Sequence, residues 1–286
     1  DLPDFNLRLA KAAQKAGVPV VYYVSPQVWA WRRGRVKGIA RVVDHMLVIF
    51  PFEKGIYEEV GLPVTYVGNP MVERLSAVPG REEARAALDL PDDAPVVALL
   101  PGSRRSEVLR MGRPLLDAAA VLAERHPDAR FVLPVAGSAV AEVLDELQAA
   151  HGPANLLRVE DSLTATAAAD CAAVTSGTAT LETAMVGTPL VVLYKLSPLT
   201  FWLARRLVQV PHIGMVNLVA GREVAPELIQ DDAEPQPIAD ALDRYLTDPE
   251  ARDQARADLA GVRQTLGTDP SRQAAHAVLP YLPAPA

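Results

Sequence analysis

The hydrophobic pattern of this chain switches repeatedly between the spacing of a strand and the spacing of a helix, and no other feature narrows the possible folds as much. Short runs of β-branched and aromatic residues, such as 18–24 and 96–100, are each followed by a stretch with helical spacing. Because these runs are continuously apolar, both faces of each strand are expected to be buried. The sequence therefore predicts an α/β fold with parallel sheets that carry helices on both faces.

The same pattern places the individual elements. Further strands are predicted at 44–50, 64–67, 130–134, 172–175 and 190–194. Helices are predicted at 5–15, 31–42, 51–60, 106–124, 139–150, 178–185 and 199–208, with three more helical stretches near the C-terminus.

The length of the chain, 286 residues, is enough for two domains of ordinary size. Residues 76–95 hold prolines, a glycine and aspartates around a short charged helix, which is typical of a connection between domains. We predict an N-terminal Rossmann-like domain over 1–77, a C-terminal one over 78–267, and a helix over 268–286 that packs on the N-terminal domain or on a partner subunit. The first helix has no strand before it, so we expect the N-terminal domain to be incomplete.

Charge and cysteine content exclude several classes of function. A net charge of −7 argues against a general nucleic-acid binder, which needs a basic surface. The single cysteine, Cys171, excludes an intrachain disulfide, and no cysteine–histidine cluster has the spacing of a metal site. No apolar run approaches the roughly 20 residues that span a bilayer. We therefore expect no metal, no cofactor and no nucleic acid among the ligands.

The strongest local motif follows the predicted strand 96–100 and precedes a helix. Gly102 allows the backbone to approach a ligand closely, and Ser103 follows it in the turn. Arg104 adds a planar fork of donors that suits phosphate oxygens, beside the positive end of the helix. The alternative is an ordinary turn in which Ser106 caps the helix and the arginine is solvated.

A second turn of the same kind follows the predicted strand 172–175. Ser176, Gly177 and Thr178 are small enough to leave room for a diphosphate at the start of the next helix. Glu182 lies one helical turn beyond Thr178 and could accept the hydroxyls of a ribose. The alternative is a helix capped by Ser176 or Thr178.

Together these two turns favour a nucleotide diphosphate as the ligand. The chain contains neither G-x-G-x-x-G nor G-x-x-x-x-G-K-[ST], so dinucleotide-binding and P-loop proteins are disfavoured.

Several longer stretches make the interpretation more specific. They read YVSPQVWAWR at 23–32, PFEK at 51–54, LPGSR at 100–104, SGTATLE at 176–182, FWLARRL at 201–207, NLVAGRE at 217–223 and PELIQ at 226–230. In this order they resemble the motifs of the lipid-A-disaccharide synthase family, glycosyltransferases with the GT-B fold of two Rossmann-like domains and a cleft between them.

The resemblance implies an activity and a donor site. The family transfers 2,3-diacylglucosamine from UDP to 2,3-diacylglucosamine 1-phosphate (lipid X), with inversion at the anomeric carbon and without a metal. The product is the β-1,6-linked disaccharide of lipid A, the membrane anchor of lipopolysaccharide. By the same resemblance Arg104 holds the phosphates, the turn 176–178 donates N–H groups, and Glu182 takes the ribose. Asn217 and Glu227 are further candidates near the nucleotide, and His212 lies close to them in the sequence.

The resemblance also implies a catalytic base and an acceptor side. The opening DLPDFN resembles a family segment whose first aspartate is the general base for the acceptor hydroxyl, and that position is Asp1. Trp29 and Trp31 form an aromatic and basic cluster with Arg32, Arg33, Arg35 and Lys37, interpreted as facing the anionic acceptor or the membrane, or else as a solvated helix face. Ser25, Trp29, Trp31 and Arg32 are the acceptor-side candidates.

The family has roughly a hundred further residues before this point, including a Gly-rich loop. We therefore expect the chain as given to bind UDP but to catalyse little transfer.

Other functions stay open at this stage. A peptidoglycan N-acetylglucosaminyltransferase or a UDP-sugar 2-epimerase would share the architecture, although an epimerase needs additional acids and histidines at the cleft. A non-catalytic UDP-binding or dimerisation module is the third possibility. The resemblance places the protein on the cytoplasmic face of the inner membrane, as a peripheral protein and a candidate homodimer.

Overall fold

The computed structural model describes residues 2–31, 33–75, 77–135, 137–207 and 210–282, with only the backbone described at Trp31, Ala139, Ala204, Arg205 and Leu207. The chain divides into two compact units. The first comprises Asp1–Arg74, Trp202–Val210 and Gln264–Ala286, and the second comprises Leu75–Phe201 and Pro211–Arg263.

The elements alternate along the chain as the pattern predicts. The strands are β1 (Val21–Tyr23), β2 (His45–Val48), β3 (Val64–Tyr66), β4 (Val96–Leu100), β5 (Arg130–Pro134), β6 (Leu156–Val159), β7 (Cys171–Thr175), β8 (Leu190–Tyr194) and β9 (Glu227–Ile229). The helices are α1 (Pro3–Lys15), α2 (Val28–Trp31), α3 (Val36–Ile39), α4 (Glu53–Glu58), α5 (Met71–Leu75), α6 (Arg81–Ala87), α7 (Arg105–Arg125), α8 (Ser138–His151), α9 (Ser162–Ala168), α10 (Thr178–Val186), α11 (Pro198–Leu207), α12 (Met215–Ala220), α13 (Pro235–Thr247), α14 (Pro249–Thr265) and α15 (Pro270–Val278).

The first unit contains a parallel sheet in the order β1-β2-β3. Its core lies around β2, where Met46 and Val48 are fully buried together with Ile39 and Tyr57 from the helices. The C-terminal part of the chain is held to this unit by the Tyr66 hydroxyl, which donates to the Thr265 carbonyl at 2.5 Å. The α15 residue Ser271 adds two hydrogen bonds to the carboxylate of Glu73, at 2.9 and 2.6 Å.

The second unit contains a parallel sheet in the order β6-β5-β4-β7-β8-β9. Within this sheet the chain begins at the central strand β4, adds β5 and β6 on one side, and then returns to the other side of β4 to add β7, β8 and β9. This is the doubly wound arrangement, in which the sheet has a switch point between its two halves. Strands β4 and β7 are buried along their whole length, which explains why their sequences are continuously apolar.

A buried ion pair lies at the amino ends of the central strands of this sheet. Arg85 of α6 is 1% exposed and donates to Asp170, which precedes β7 and also accepts the N–H of Val96 at the start of β4. The Arg85 guanidinium also donates to the carbonyls of Pro91, Asp92 and Ala94. The segment proposed as a connection between domains is therefore packed onto the second unit over most of its length.

The structure corrects several predicted boundaries. The predicted helix 31–42 is broken into α2, a 3-10 turn at Arg33–Arg35, and α3. Strands β6 and β9 and the short helices α5, α9 and α12 were not predicted from the sequence. Both strands lie at the edges of the sheet, where partial exposure admits polar residues and weakens the apolar signal.

Among the described residues, no helix is both long enough and apolar enough to cross a membrane.

Candidate functional site

The switch point of the second sheet brings the two predicted phosphate loops together. Leu100 at the end of β4 is paired with Val174 near the end of β7, so the chain leaves both strands at the same edge. Ligands of open α/β sheets bind outside the carboxyl ends of the strands at such a point. The loop 101–104 and the turn 176–178 are therefore neighbours, as a shared ligand requires.

The first loop is ordered by a carboxylate from the helix that follows it. Glu107 accepts the N–H groups of Ser103 and Arg104 at 3.0 and 3.1 Å, and its other oxygen pairs with Arg104 Nη1 at 2.6 Å. Arg104 is the N-cap residue of α7, so the alternative in which Ser106 caps the helix is wrong. The Arg104 side chain is 78% exposed, which leaves its remaining donors accessible to an anion.

Gly102 is required by the geometry of this loop. Its φ of +113° lies in a region that side chains disfavour. A Cβ at this position would lie 2.6 Å from both Cβ and Oε2 of Glu107. The glycine therefore allows Glu107 to reach back over the loop.

The second turn leaves the start of α10 open. The N-cap residue is Gly177 and no side chain caps the helix, so the alternative in which Ser176 or Thr178 is a cap is wrong. The first N–H groups of a helix have no partners within it and attract anions. Ser176 instead donates its hydroxyl to the carbonyl of Ile213 at 3.0 Å. Glu182, half-buried, follows Thr178 by one turn on α10.

Asn217 and Glu227 are engaged within the protein. The Asn217 amide is fully buried, accepts the N–H groups of Val224 and Ala225, and donates to Ala225 and Glu227. The Glu227 carboxylate also accepts the N–H groups of Ile213 and Gly214. His212 Nδ1 lies 3.9 Å from Glu227 Oε1. This network fixes the loop 212–214, to which Ser176 is bonded.

A cavity that sequence reasoning missed opens at the same edge of the sheet. It has a volume of about 460 Å³ and is lined by residues that follow β5 and by the end of β6, namely Val135, Gly137, Arg158, Val159 and Glu160. Because β5 lies directly beside β4, the cavity and the Arg104 loop belong to one continuous sheet edge. The sequence could have indicated this cavity only if the weakly apolar edge strand β6 had been predicted.

The predicted acceptor-side residues lie in the first unit, where the structure describes some of them. Ser25 is buried directly after β1, and the Trp29 ring packs edge-on against Phe52 with 5.3 Å between ring centroids. Asp1, Arg32 and the Trp31 side chain lie outside the described residues. Asp4 lies in the first turn of α1 and pairs with Arg35 at 2.6 Å.

No group of three or more histidine, cysteine, aspartate or glutamate residues that could hold a metal ion occurs in the described parts of the chain.

Comparison with known proteins identifies the family. A family model described as Lipid-A-disaccharide synthetase matches residues 1–279. The lipid-A-disaccharide synthase of Geobacter sulfurreducens is 47% identical over 268 residues, which cover 94% of this chain and 70% of that protein. The synthase of Aromatoleum aromaticum is 44% identical over 285 residues, 99% of this chain and 73% of that protein. The chain belongs to the lipid-A-disaccharide synthase family.

Solved structures agree with the fold expected of this synthase family. The calicheamicin glycosyltransferase CalG4 is 19% identical, with a TM-score of 0.53 over 99% of this chain and 61% of that one. A UDP-GlcNAc 2-epimerase from Neisseria meningitidis is 14% identical, with a TM-score of 0.64 over 96% of this chain and 73% of that one. At these identities the likeness shows the GT-B fold alone. The family therefore decides the activity: the protein is a glycosyltransferase, and the epimerase and peptidoglycan transferase alternatives are not favoured.

Proposed function

We propose that the protein transfers 2,3-diacylglucosamine from UDP to lipid X and forms the β-1,6 disaccharide 1-phosphate of lipid A. The family supports this reaction, and so does the pair of loops at the switch point of the second sheet. Arg104 and the uncapped start of α10 follow two paired strands that end on the same side of the sheet, and that pairing is the observation that supports the donor site.

We infer the following placement of the donor. The diphosphate lies between Arg104 and the first N–H groups of α10, and the ribose hydroxyls face Glu182. The base lies toward the cavity beyond β5 and β6, on the same sheet edge as the Arg104 loop. The acceptor is assigned to the first unit, with Asp1 as general base and with the turn after β1 as part of the acceptor side.

Asn217 and Glu227 act in this account as positioning residues. All donors and acceptors of the Asn217 amide are used within the protein, so it has none left for a nucleotide. Together with Glu227 it holds the loop 212–214, whose Ile213 carbonyl accepts the Ser176 hydroxyl. Their effect on the donor is therefore transmitted through Ser176.

The reaction is tested by incubating the complete gene product with UDP-2,3-diacylglucosamine and lipid X. The proposal predicts stoichiometric disaccharide 1-phosphate and UDP. UDP-N-acetylglucosamine offered in parallel should be neither epimerised nor transferred to a peptidoglycan precursor. Either of these activities in the absence of disaccharide formation would contradict the proposal.

We also propose that the protein works at the cytoplasmic face of the inner membrane, where its diacylated substrates reside. Helix α11 supports this, because Leu199, Trp202 and Leu203 share one face and are 71%, 54% and 46% exposed. The Arg206 guanidinium stacks over the Trp202 ring at 3.5 Å, so a positive charge accompanies the apolar face.

Flotation with vesicles of an anionic phospholipid tests the role of α11. Binding should fall in a Leu199→Ser/Leu203→Ser variant and stay unchanged in Leu109→Ser, which alters an exposed leucine on α7. Equal flotation of all three proteins would exclude α11 as the contact.

A homodimer is the remaining proposal about partners. Leu279 and Leu282 at the C-terminal end are both 57% exposed and could pack against a second copy. Light scattering coupled to gel filtration should give twice the chain mass, and Leu279→Ser should reduce it to the monomer mass.

A further inference from the structure

A buried polar cluster lies at the carboxyl ends of the strands of the first sheet, and two of its three residues, Glu53 and Tyr57, have no role in the reaction described above. It consists of Ser25, which follows β1, and of Glu53 and Tyr57, which lie one turn apart on α4. All three side chains are almost fully buried, at 6%, 2% and 0% exposure. The Ser25 and Tyr57 hydroxyl oxygens are 2.6 Å apart.

Two residues of α4 hold the two loops that leave this sheet, and Glu53 holds the loop after β2. Its Oε2 accepts the N–H groups of Phe50 at 3.1 Å and of Ile49 at 3.3 Å, both directly after β2. On the β1 side, the Ser25 hydroxyl donates to the carbonyl of Pro26 at 2.9 Å and bonds to the Tyr57 hydroxyl, so Tyr57 is the residue of α4 that reaches this loop. The Trp29 Nε1 group is buried and has no hydrogen-bond partner in the part of the chain that the structure describes.

The backbone next to Ser25 is strained. Val24 has a φ of +68°, a conformation that a β-branched residue strongly disfavours. The strain is maintained by surrounding bonds, because Val24 N–H donates to the Leu47 carbonyl at 3.0 Å while Ser25 is held by Tyr57. Such strain persists only where neighbours over-determine the conformation, and it concentrates at functional sites.

A contribution to the stability of the fold does not by itself explain why residue 53 is a glutamate. Burial raises the pKa of Glu53 to about 7, so the charged form is disfavoured near neutral pH. A neutral side chain of similar shape would avoid this penalty. What the carboxylate provides is an acceptor for two N–H groups of the loop after β2, at the start of the helix that carries Tyr57.

We propose that Glu53 is a positioning residue for the acceptor: it fixes the start of α4 on the loop after β2, so that Tyr57 of the same helix holds the strained Val24–Ser25 turn, and the held turn sets the affinity for the acceptor sugar phosphate. The inference rests on the proposed function in one respect, namely that the acceptor binds on the first unit. It extends the site to residues of α4 that do not themselves touch the substrate.

The test separates acceptor binding from donor binding and from stability. Steady-state kinetics of the complete gene product give separate KM values for lipid X and for the UDP donor. In Glu53→Gln the neutral amide accepts more weakly from the N–H groups of Ile49 and Phe50, so α4 is held less firmly, and we expect the KM for lipid X to rise at least about tenfold while the KM for the donor stays unchanged. Tyr57→Phe should change the same constant in the same direction.

Stability is followed in parallel by urea unfolding at pH 8. Glu53→Gln should be at least as stable as the wild type, because the buried charge is removed. Val43→Ala, a truncation in the core of the same unit, serves as the control that loses stability and keeps its KM for lipid X.

The outcomes are distinct. A wild type that forms no disaccharide would refute the proposed function, whatever the Glu53 variants do. An active wild type with a Glu53→Gln variant whose KM for lipid X is within twofold of normal would overturn the inference. It would also be overturned if both KM values rose together with a loss of stability, since Glu53 would then act only in folding.

Discussion

Glu107 Oε1 lies 2.6 Å from Arg104 Nη1, and Glu107 Oε2 accepts the N–H of Arg104 itself. The arginine proposed to hold the donor phosphates is therefore restrained at both its backbone and its side chain before any ligand arrives. Restraint of this kind reduces the entropy lost on binding.

Gly102→Ala should disturb this restraint. The new Cβ would collide with Glu107 at 2.6 Å, and φ is +113°, so we expect a loss of about 1–3 kcal/mol in the free energy of unfolding and weaker UDP binding. Gly261→Ala on α14, which has open space around it, is the matched control and should be neutral or slightly stabilising. Equal behaviour of the two variants in thermal unfolding would show that the loop has another conformation.

The buried carboxylate of Glu53 predicts a specific pH dependence of stability. Burial raises its pKa from the ordinary 4.5 to about 7 in the folded protein. The stability that comes from keeping this buried carboxyl protonated is therefore fully present below the unfolded pKa and is lost as pH rises through 7. Relative to Glu53→Gln, the wild type should therefore lose up to about 3 kcal/mol of unfolding free energy between pH 5 and pH 8. Urea unfolding at both pH values measures this difference, and parallel pH profiles would contradict it.

UDP binding should not need a divalent cation. Arg104 and the start of α10 supply the positive charge, and the sequence has no Asp-x-Asp motif beside the phosphate loops. Titration of UDP in excess EDTA and in excess Mg²⁺ should give the same Kd. Loss of binding on chelation would mean that a metal completes the site.

Asp1→Asn in the complete gene product should lower the turnover number by about 10²–10⁴-fold, the usual effect of losing a general base. The asparagine keeps the shape but cannot take the acceptor proton, so the Kd for UDP should persist. Near-normal turnover would remove Asp1 from the mechanism. Asp4 would be the next carboxylate to test, although its ion pair with Arg35 already engages it.

Much of the second unit could be predicted from the sequence because its central strands are buried on both faces. The runs at 96–100 and 190–194 reappear as β4 and β8 with the same bounds. The edge strands β6 and β9 were not predicted, because polar residues such as Arg158 and Glu227 interrupt their short apolar runs. Pattern methods depend on burial, and edges are only partly buried.

In the candidate site too, some features could be predicted from the sequence pattern and others depend on tertiary contacts. The strand–turn–helix pattern was sufficient to place Arg104 and Ser176 at one sheet edge, because parallel strands all end on the same side. The roles of Glu107 and Glu53 depend on which N–H groups their carboxylates reach, and only the folded chain defines that. Likewise, the side-chain amide of Asn217 donates to the Glu227 carboxylate, a tertiary contact that the sequence does not reveal.

Calorimetric titration of UDP against the wild type, Arg104→Ala and Arg113→Ala tests most directly whether the donor diphosphate binds at the switch point. Arg113 is an exposed arginine on the same helix that pairs with Asp117, so its replacement controls for charge. Arg104→Ala should weaken UDP binding by about 1.5–3 kcal/mol, while Arg113→Ala and the affinity of either variant for uridine should match the wild type. Unchanged UDP affinity in Arg104→Ala would place the diphosphate elsewhere and contradict the account.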